Sequence, residues 1–117
     1  MWVFDLFFQP DLKPLADIGR LLASQQYGYC AEYIKKACAD KKCSRTLKKA
    51  INYKMSQSLK KPEHMHRYQL LCELYRLAFG TDSRYFKPKR YAECVEAAEA
   101  EDKPETFYTK KLKPYFE

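Results

Sequence analysis

The sequence predicts an all-α protein, a compact bundle of five or six short helices with an apolar N-terminal arm or single short strand. Two observations predict this class. Apolar residues recur at three- and four-residue steps through successive segments, which is the period of a helix face. Short polar turns and prolines separate these segments, and no second strand-like segment is available to pair with the N-terminal one. With 117 residues and no linker or internal repeat, the chain is predicted to form one helical domain over residues 1–117.

The first two helices are predicted from a start signal and two apolar stripes. Asp11 and the early Pro14 favour a helix start, and this helix should end near Tyr27 and Gly28. A second helix is predicted from about Tyr29 to Ala39. The stripe of the first helix consists of Leu12, Leu15, Ile18 (or Gly19) and Leu22. The inner face of the second consists of Tyr29, Cys30, Tyr33, Ile34, Ala37 and Cys38.

The third and fourth helices carry the clearest periodicity. Ser44 is a favourable N-cap for a third helix to about Leu59, with residues 40–43 as a turn or a helical continuation. A proline in Lys61-Pro62-Glu63 opens the fourth helix, which Gly80 should end. Apolar residues surround most of this fourth helix, which predicts that it is the central, most buried one. These residues are Met65, Tyr68, Leu70, Leu71, Cys72, Leu74, Tyr75, Leu77 and Phe79.

Two further helices follow a Thr-Asp-Ser turn. Lys87-Pro88-Lys89 starts a fifth helix that runs to about Glu101, with Ala and Glu residues of high helix propensity. Its predicted inner face consists of Tyr91, Cys94, Val95 and Ala98. The sequence from Asp102 to Glu105 is a capping box with proline at the first helical position, so a short sixth helix to about Lys113 is predicted. Pro114 should end it.

Residues 1–9 fit two structures. Trp2, Phe4, Leu6 and Phe8 follow a strand alternation, but Val3 and Phe7 make the opposite face apolar as well. Such a segment is typical of a buried strand or of an extended arm tucked against helices. We expect the arm, or one edge of a small sheet. The alternative is that the segment packs on a second copy and forms a homodimer.

Composition narrows the class of protein. A hydrophobic fraction of 46% and a charged fraction of 32% exclude both a disordered chain and a membrane protein. The five cysteines are an odd number without a tight repeating spacing, which disfavours a disulfide framework. The first residues lack the basic region and the cleavage site of a signal peptide. A reducing, cytoplasmic location is therefore expected.

The net charge of +7 is concentrated in the middle of the chain. Residues 35–67 carry eleven basic and two acidic side chains, a net charge of +9. Residues 1–34 carry a net charge of −2, and residues 68–117 carry nine charges of each sign. A chain that is basic only for solubility would distribute its lysines more evenly.

A helical wheel of the third helix separates apolar from basic residues. With Leu47 at zero and 100° per residue, Ala50, Ile51 and Met55 fall within about 80° of it. Lys54 falls on this apolar side, where its long stem should extend outward. The basic groups and an amide occupy an arc from about 100° to 200°, with Lys42 just beyond. The predicted binding residues are Lys41, Lys42, Arg45, Lys48, Lys49, Asn52 and Tyr53, with Lys35, Lys36, Lys60, Lys61 and Arg67 near the two ends.

Residues that could carry catalysis do not form a site. Cys38 and Cys43 are spaced C-x4-C, but His64 and His66 point to different sides of a helix, so no metal is expected. Cys43 has basic neighbours that favour the thiolate, and it should be the thiol most easily alkylated, but no base or oxyanion hole accompanies it. Three glycines cannot build a phosphate loop. The sequence predicts no enzyme, no cofactor and no small-molecule substrate.

Two functions from different classes fit these observations. The first is a small nucleic-acid-binding protein, or a subunit of a nucleoprotein complex, that contacts RNA or DNA phosphates through the basic helix at about 41–54. Tyr53 could add stacking on an unpaired base. The second is a protein-binding module, such as an inhibitor, an immunity protein or a complex subunit, with an acidic partner. It would use an aromatic and basic surface, because the ten tyrosines cannot all lie in the core of a small domain; Tyr85 and Tyr115 lie in turn or terminal segments.

Overall fold

The computed structural model describes residues 10–61, 65–101 and 108–117. This part of the chain folds into six α-helices, without a strand, and ends in one turn of 3₁₀ helix over Lys113–Phe116. The helices are α1 (Lys13–Ala23), α2 (Tyr27–Ala39), α3 (Lys41–Leu59), α4 (Met65–Phe79), α5 (Pro88–Glu101) and α6 (Tyr108–Leu112). The predicted all-α bundle is confirmed. The predicted arm, residues 1–9, lies outside the described residues, as do the starts predicted for the fourth and sixth helices.

Helix α1 ends earlier than the sequence predicted. Gln25 has a φ of 59°, in the left-handed region that usually belongs to glycine. Its N–H donates to the carbonyl of Leu22 (3.1 Å), and the N–H of Gln26 donates to the carbonyl of Leu21 (2.9 Å). These two bonds form a Schellman motif, which ends α1 at Ala23 and lets α2 begin at Tyr27. The prediction of a longer first helix was wrong because a glutamine, and not a glycine, holds this position.

Helix α3 begins before its predicted cap. The backbone of Asp40 is extended (φ −97°, ψ 126°), and its carboxylate accepts the N–H of Cys43 at 2.8 Å. Asp40 is therefore the N-cap, and Ser44 already lies in the helix. A carboxylate both satisfies an open backbone donor and suits the positive end of the helix dipole. As a result, Lys41 and Lys42 occupy the first helical positions.

Helix α4 is the central helix, as predicted. It packs against α3, α5, α2 and α6. Its buried residues are Tyr68, Gln69, Leu71, Cys72, Leu74 and Tyr75. The hydroxyl of Tyr68 donates to the carbonyl of Tyr85 and accepts the N–H of Lys87, both at 2.8 Å. These bonds tie the loop between α4 and α5 to the core.

The C-terminal segment closes the bundle over α2. Helix α6 ends at Leu112, a fully buried residue, and the chain continues as the 3₁₀ turn that contains Pro114. Pro114 thus ends the α-helix, as predicted, but not the helical path of the chain. No helix in the described ranges is long and apolar enough to cross a membrane.

Candidate functional site

One side of α3 packs against the bundle. Leu47, Ala50, Ile51, Met55 and Ser58 are each at most 1% exposed and face α1, α2 and α4. Complete burial of one side fixes the rotation of the helix about its own axis. The residues on the opposite side are therefore held in a defined orientation toward solvent.

That opposite side carries five exposed cations. We call this set the basic face, and it consists of Lys41, Lys42, Arg45, Lys48 and Lys49. The set extends over the first nine residues of α3, about 12 Å at 1.5 Å per residue. Because it begins at the helix N-terminus, the helix dipole adds to its positive potential.

The basic face has no compensating negative charge in the described structure. The ion pairs there join Arg20 to Asp17, Lys36 to Glu32, Arg76 to Asp82 and Arg90 to Glu93, and none involves the basic face. The nearby Asp40 serves as the helix cap. Its hydrogen bond from the backbone of Cys43 is the main cause that lowers the pKa of this carboxyl, and the charge of Lys42 contributes least.

Like charges are adjacent on this helix. Arg45 has Lys41 and Lys49 four residues away, and Lys42 and Lys48 three residues away. Each such pair destabilises a helix by roughly 0.2–0.5 kcal/mol. The arrangement therefore lowers the stability of the protein. Solubility alone does not require this cost, because a face of mixed positive and negative charges is equally soluble.

A groove extends the positive surface toward α1 and α2. It has a volume of about 480 Å³ and lies at the N-terminal end of α3. Three lysines line it: Lys13, Lys36 and Lys42, together with Asp11 and Cys43. Lys13 was not among the predicted site residues, because only the packing of α1 against α2 and α3 brings it there.

Tyr33 lines this groove, and a hydrogen bond to α1 holds its side chain in place. Its hydroxyl donates to Asp17 Oδ2 at 2.9 Å. Burial, and then this carboxylate, raise the pKa of Tyr33 to about 12, while the hydrogen bond from Tyr33 lowers the pKa of Asp17. The ring is thus fixed and its hydroxyl stays protonated at neutral pH.

Cys43 is the exposed thiol of the described residues. The prediction that its basic neighbours favour the thiolate was wrong. The carboxylate of Asp40 raises the pKa of Cys43, and the opposing effect of the charge of Lys42 is the smallest contribution. The helix cap, which lies three residues away in sequence, therefore decides the chemistry of this thiol.

Two predicted site residues serve the fold as well. The carbonyl oxygen of Asn52 accepts a hydrogen bond from the buried Ser83, which connects α3 to the loop before α5. Tyr53 is half-buried, and its hydroxyl accepts a hydrogen bond from Gln57 Nε2 at 2.9 Å. The Nζ of Lys48 stays exposed but lies 5.0 Å from the ring centroid of Phe79 on α4, which orients its stem.

The remaining predicted cations lie apart from the basic face. Lys35 donates to the carbonyl of Tyr115 and lies over the ring of Phe116, so it holds the C-terminal segment. Lys60 and Lys61 lie beyond the far end of α3, roughly 16 Å along the helix from Lys49. Arg67 lines a separate groove between α1 and α4, where the half-buried Lys54 also lies. Of the flanking residues, Lys36 alone adjoins the basic face.

The other thiols are structural. Cys30, Cys72 and Cys94 are buried, and burial raises the pKa of Cys30 to about 11 and that of Cys72 to about 12. Cys38 donates from its Sγ to the carbonyl of Ala78 at 3.3 Å. Within the described ranges, no three His, Cys, Asp or Glu residues are grouped as metal ligands would be.

A second exposed feature is aromatic. Tyr29 is 69% exposed and Tyr115 is 48% exposed. The ring of Tyr115 lies on Gly28, where an added Cβ would be 3.4 Å from Cε1 of the tyrosine. The rings of Phe86 and Tyr91 are more enclosed, because Arg76 lies 4.4 Å from the ring centroid of Phe86 and 4.8 Å from that of Tyr91. The contact of Tyr115 with α2 depends on the glycine at position 28, which is the feature of the sequence that leaves room for the ring.

Comparison of the chain with protein-family models, with curated proteins and with solved structures gave no match.

Proposed function

We propose that this protein binds the phosphate backbone of RNA or DNA through the basic face of α3, as a non-enzymatic nucleic-acid-binding protein or nucleoprotein subunit. The single observation behind this proposal is the exposure of five cations, without carboxylate partners in the described structure, on a helix whose other side is fully buried. A helix of fixed orientation presents these cations together, so that several phosphates can be contacted at once, and each contact releases condensed counterions from the nucleic acid.

In the proposed complex, the protein recognises the charge of the phosphate backbone and not the sequence of the bases. The hydroxyl of Thr46 donates to the carbonyl of Lys42 at 3.0 Å, and the carbonyl oxygen of Asn52 is taken by Ser83. These two polar groups beside the basic face are thus engaged within the protein. Contacts to phosphates position a protein on nucleic acid but carry no sequence information. We therefore expect similar affinities for unrelated sequences of the same length.

The salt dependence of affinity tests this function. If all five cations contact phosphates of a duplex, the logarithm of the association constant falls with the logarithm of salt at a slope of about −4.5, roughly a 500-fold loss between about 50 and 200 mM. The triple variant Lys41→Gln, Arg45→Gln and Lys49→Gln should reduce that slope by about 2.7. Lys48 is left in place because its stem packs on Phe79.

A matched control removes three charges elsewhere. Lys87, Lys89 and Lys113 are exposed and lie outside α3. Their replacement by Gln changes the net charge by the same amount, so affinity and slope should stay close to those of the wild type. If the two triple variants lost affinity equally, the contact would be general attraction and the basic face would not be the binding site.

Cys43 offers a readout of the groove beside the basic face. Its exposed thiol lines that groove with Lys42, and it lies on the other side of α3 from Arg45. Slower alkylation of Cys43 with bound nucleic acid would show that the contact extends over Lys42 into the groove. Alkylation at an unchanged rate would confine the contact to the outer side of α3, where Lys41, Arg45 and Lys49 lie.

The alternative function is a protein-binding module, such as an inhibitor, an immunity protein or a complex subunit. The observation that favours it is the exposure of two tyrosines, Tyr29 and Tyr115, because exposed tyrosines are enriched in protein interfaces. The variant Tyr29→Ser distinguishes the two functions. It should abolish binding of a protein partner and leave salt-dependent nucleic-acid binding intact. For either function we propose a reducing, cytoplasmic setting, in which the five cysteines stay free.

A further inference from the structure

An apolar groove separates α1 from α4. It has a volume of about 380 Å³, and of the eleven described residues that line it, nine are aliphatic or glycine. Leu12 lies at the start of α1, Leu15 and Leu22 follow along that helix, and Leu70 and Leu74 face them from α4. Leu12, Leu15 and Leu70 are only partly buried in the described structure. A continuous apolar strip of this kind indicates a surface that is covered by something.

We propose that residues 1–9 of the same chain bind in this groove. The segment Met1-Trp-Val-Phe-Asp-Leu-Phe-Phe-Gln9 carries six large apolar side chains after its first methionine. It joins the described chain at Pro10, two residues before Leu12, which lines the groove. The inference is independent of the proposed nucleic-acid contact, which lies on the exposed side of α3.

The length of the segment suits the groove. Nine extended residues span up to about 30 Å. Helix α1 has eleven residues and is therefore about 16 Å long. Because residues 10–12 form neither a turn nor a bend, a chain reversal ahead of Pro10 would let the remaining residues follow α1. Proline favours an extended conformation in the residue before it, which suits a segment laid along a groove.

The charges are complementary as well. Among the described residues that line the groove, the polar ones are Lys54 and Arg67, and both are cations. Neither forms an ion pair with a described carboxylate. Asp5 is the one acidic residue among residues 1–9 and stands between apolar neighbours on both sides. Its carboxylate would meet these cations while the neighbouring aromatic rings enter the groove.

Binding within one chain is favoured over binding to a second copy. The segment is attached next to the groove by the short Pro10–Asp11 connection, which gives it an effective concentration in the millimolar range. A second copy would have to compete at the much lower concentration of free protein. We therefore expect the chain to bury this segment as a monomer.

The single tryptophan of the sequence, Trp2, reports on this contact. In the full chain we expect blue-shifted emission and acrylamide quenching severalfold weaker than for N-acetyltryptophanamide. Gly19 provides the blocking variant, because it lines the groove and a Cβ at this position meets no described atom within 4 Å. Gly19→Phe should fill the groove, shift the emission to the red and increase quenching severalfold, with the helical circular dichroism retained.

Two further variants complete the test. Ala23→Phe is the matched control, since Ala23 is exposed on α1 outside the groove, and it should leave Trp2 protected. Asp5→Lys should expose Trp2, and combining it with Lys54→Glu and Arg67→Glu should restore protection. The proposal is overturned if Trp2 in the wild type is quenched as strongly as the free amide, or if Gly19→Phe leaves it protected. Protection of Trp2 that coincides with a dimeric mass by light scattering would assign the groove to a second copy and overturn it as well.

Discussion

Arg45 at the centre of the basic face is expected to lower the stability of the protein. It has four like-charged neighbours at three- and four-residue spacing on α3 and no carboxylate partner in the described structure. Arg45→Gln removes all four repulsive pairs at once and keeps a similar helix propensity. At about 0.2–0.5 kcal/mol per pair, the free energy of unfolding should rise by roughly 1 kcal/mol at low ionic strength.

Urea unfolding followed by circular dichroism measures this change. At about 0.01 M salt the Debye length is about 30 Å, and the full gain should be seen. At 1 M salt it is about 3 Å, so wild type and variant should unfold at nearly the same urea concentration. Glu32→Gln is the control of opposite sign, because Oε1 of Glu32 lies 3.4 Å from the Nζ of Lys36 and its loss removes an attractive pair. That variant should lose a few tenths of a kcal/mol.

Two results would refute this account of Arg45. A lower stability of Arg45→Gln at low salt would mean that the guanidinium makes favourable contacts which outweigh the repulsion. A gain that persists at 1 M salt would have a cause other than charge. If the expected gain is accompanied by weaker nucleic-acid binding, the basic face trades stability for binding, as functional sites commonly do.

Three further changes test the helix ends and the thiols. Gln25→Gly should raise the free energy of unfolding by about 1 kcal/mol, because Gln25 has a positive φ that glycine adopts without strain; a loss in urea unfolding would contradict the Schellman motif. Asp40→Ala should lower the urea midpoint at pH 7. Because the pKa of Asp40 is lower in the folded state, its contribution is complete above the unfolded pKa and disappears as the pH falls through the folded one. The variant and wild type should therefore converge in acid, and an equal difference at pH 7 and in acid would argue against the cap. Under native conditions a thiol reagent should modify Cys43 first, as seen by peptide mapping, since burial raises the pKa of Cys30 and Cys72; equally fast labelling of a buried thiol would contradict the core.

The helix ends show where reasoning from sequence works and where it stops. Prolines and glycines predicted several helix boundaries correctly, and α5 begins at Pro88 as predicted. The boundaries that differed depend on residues whose types allow more than one structure. Gln25 took a left-handed conformation that usually marks glycine, and Asp40 took the cap that Ser44 could also have provided. Hydrogen bonds to neighbouring backbone groups decided both cases, and residue type alone does not give them.

The sequence by itself determined that the protein is helical, that α4 is central, and that one side of α3 is apolar while the other is basic. These properties follow from the helical period, which operates within a few residues of chain. The tertiary structure alone decided which polar residues remain available on that basic side. In the folded protein Asn52 accepts a hydrogen bond from Ser83, 31 residues later, and Lys35 binds the C-terminal segment. Lys13 and Lys42 line the same groove. Such contacts join residues distant in sequence, and they exist only once the packing of buried side chains has fixed how the helices lie against one another.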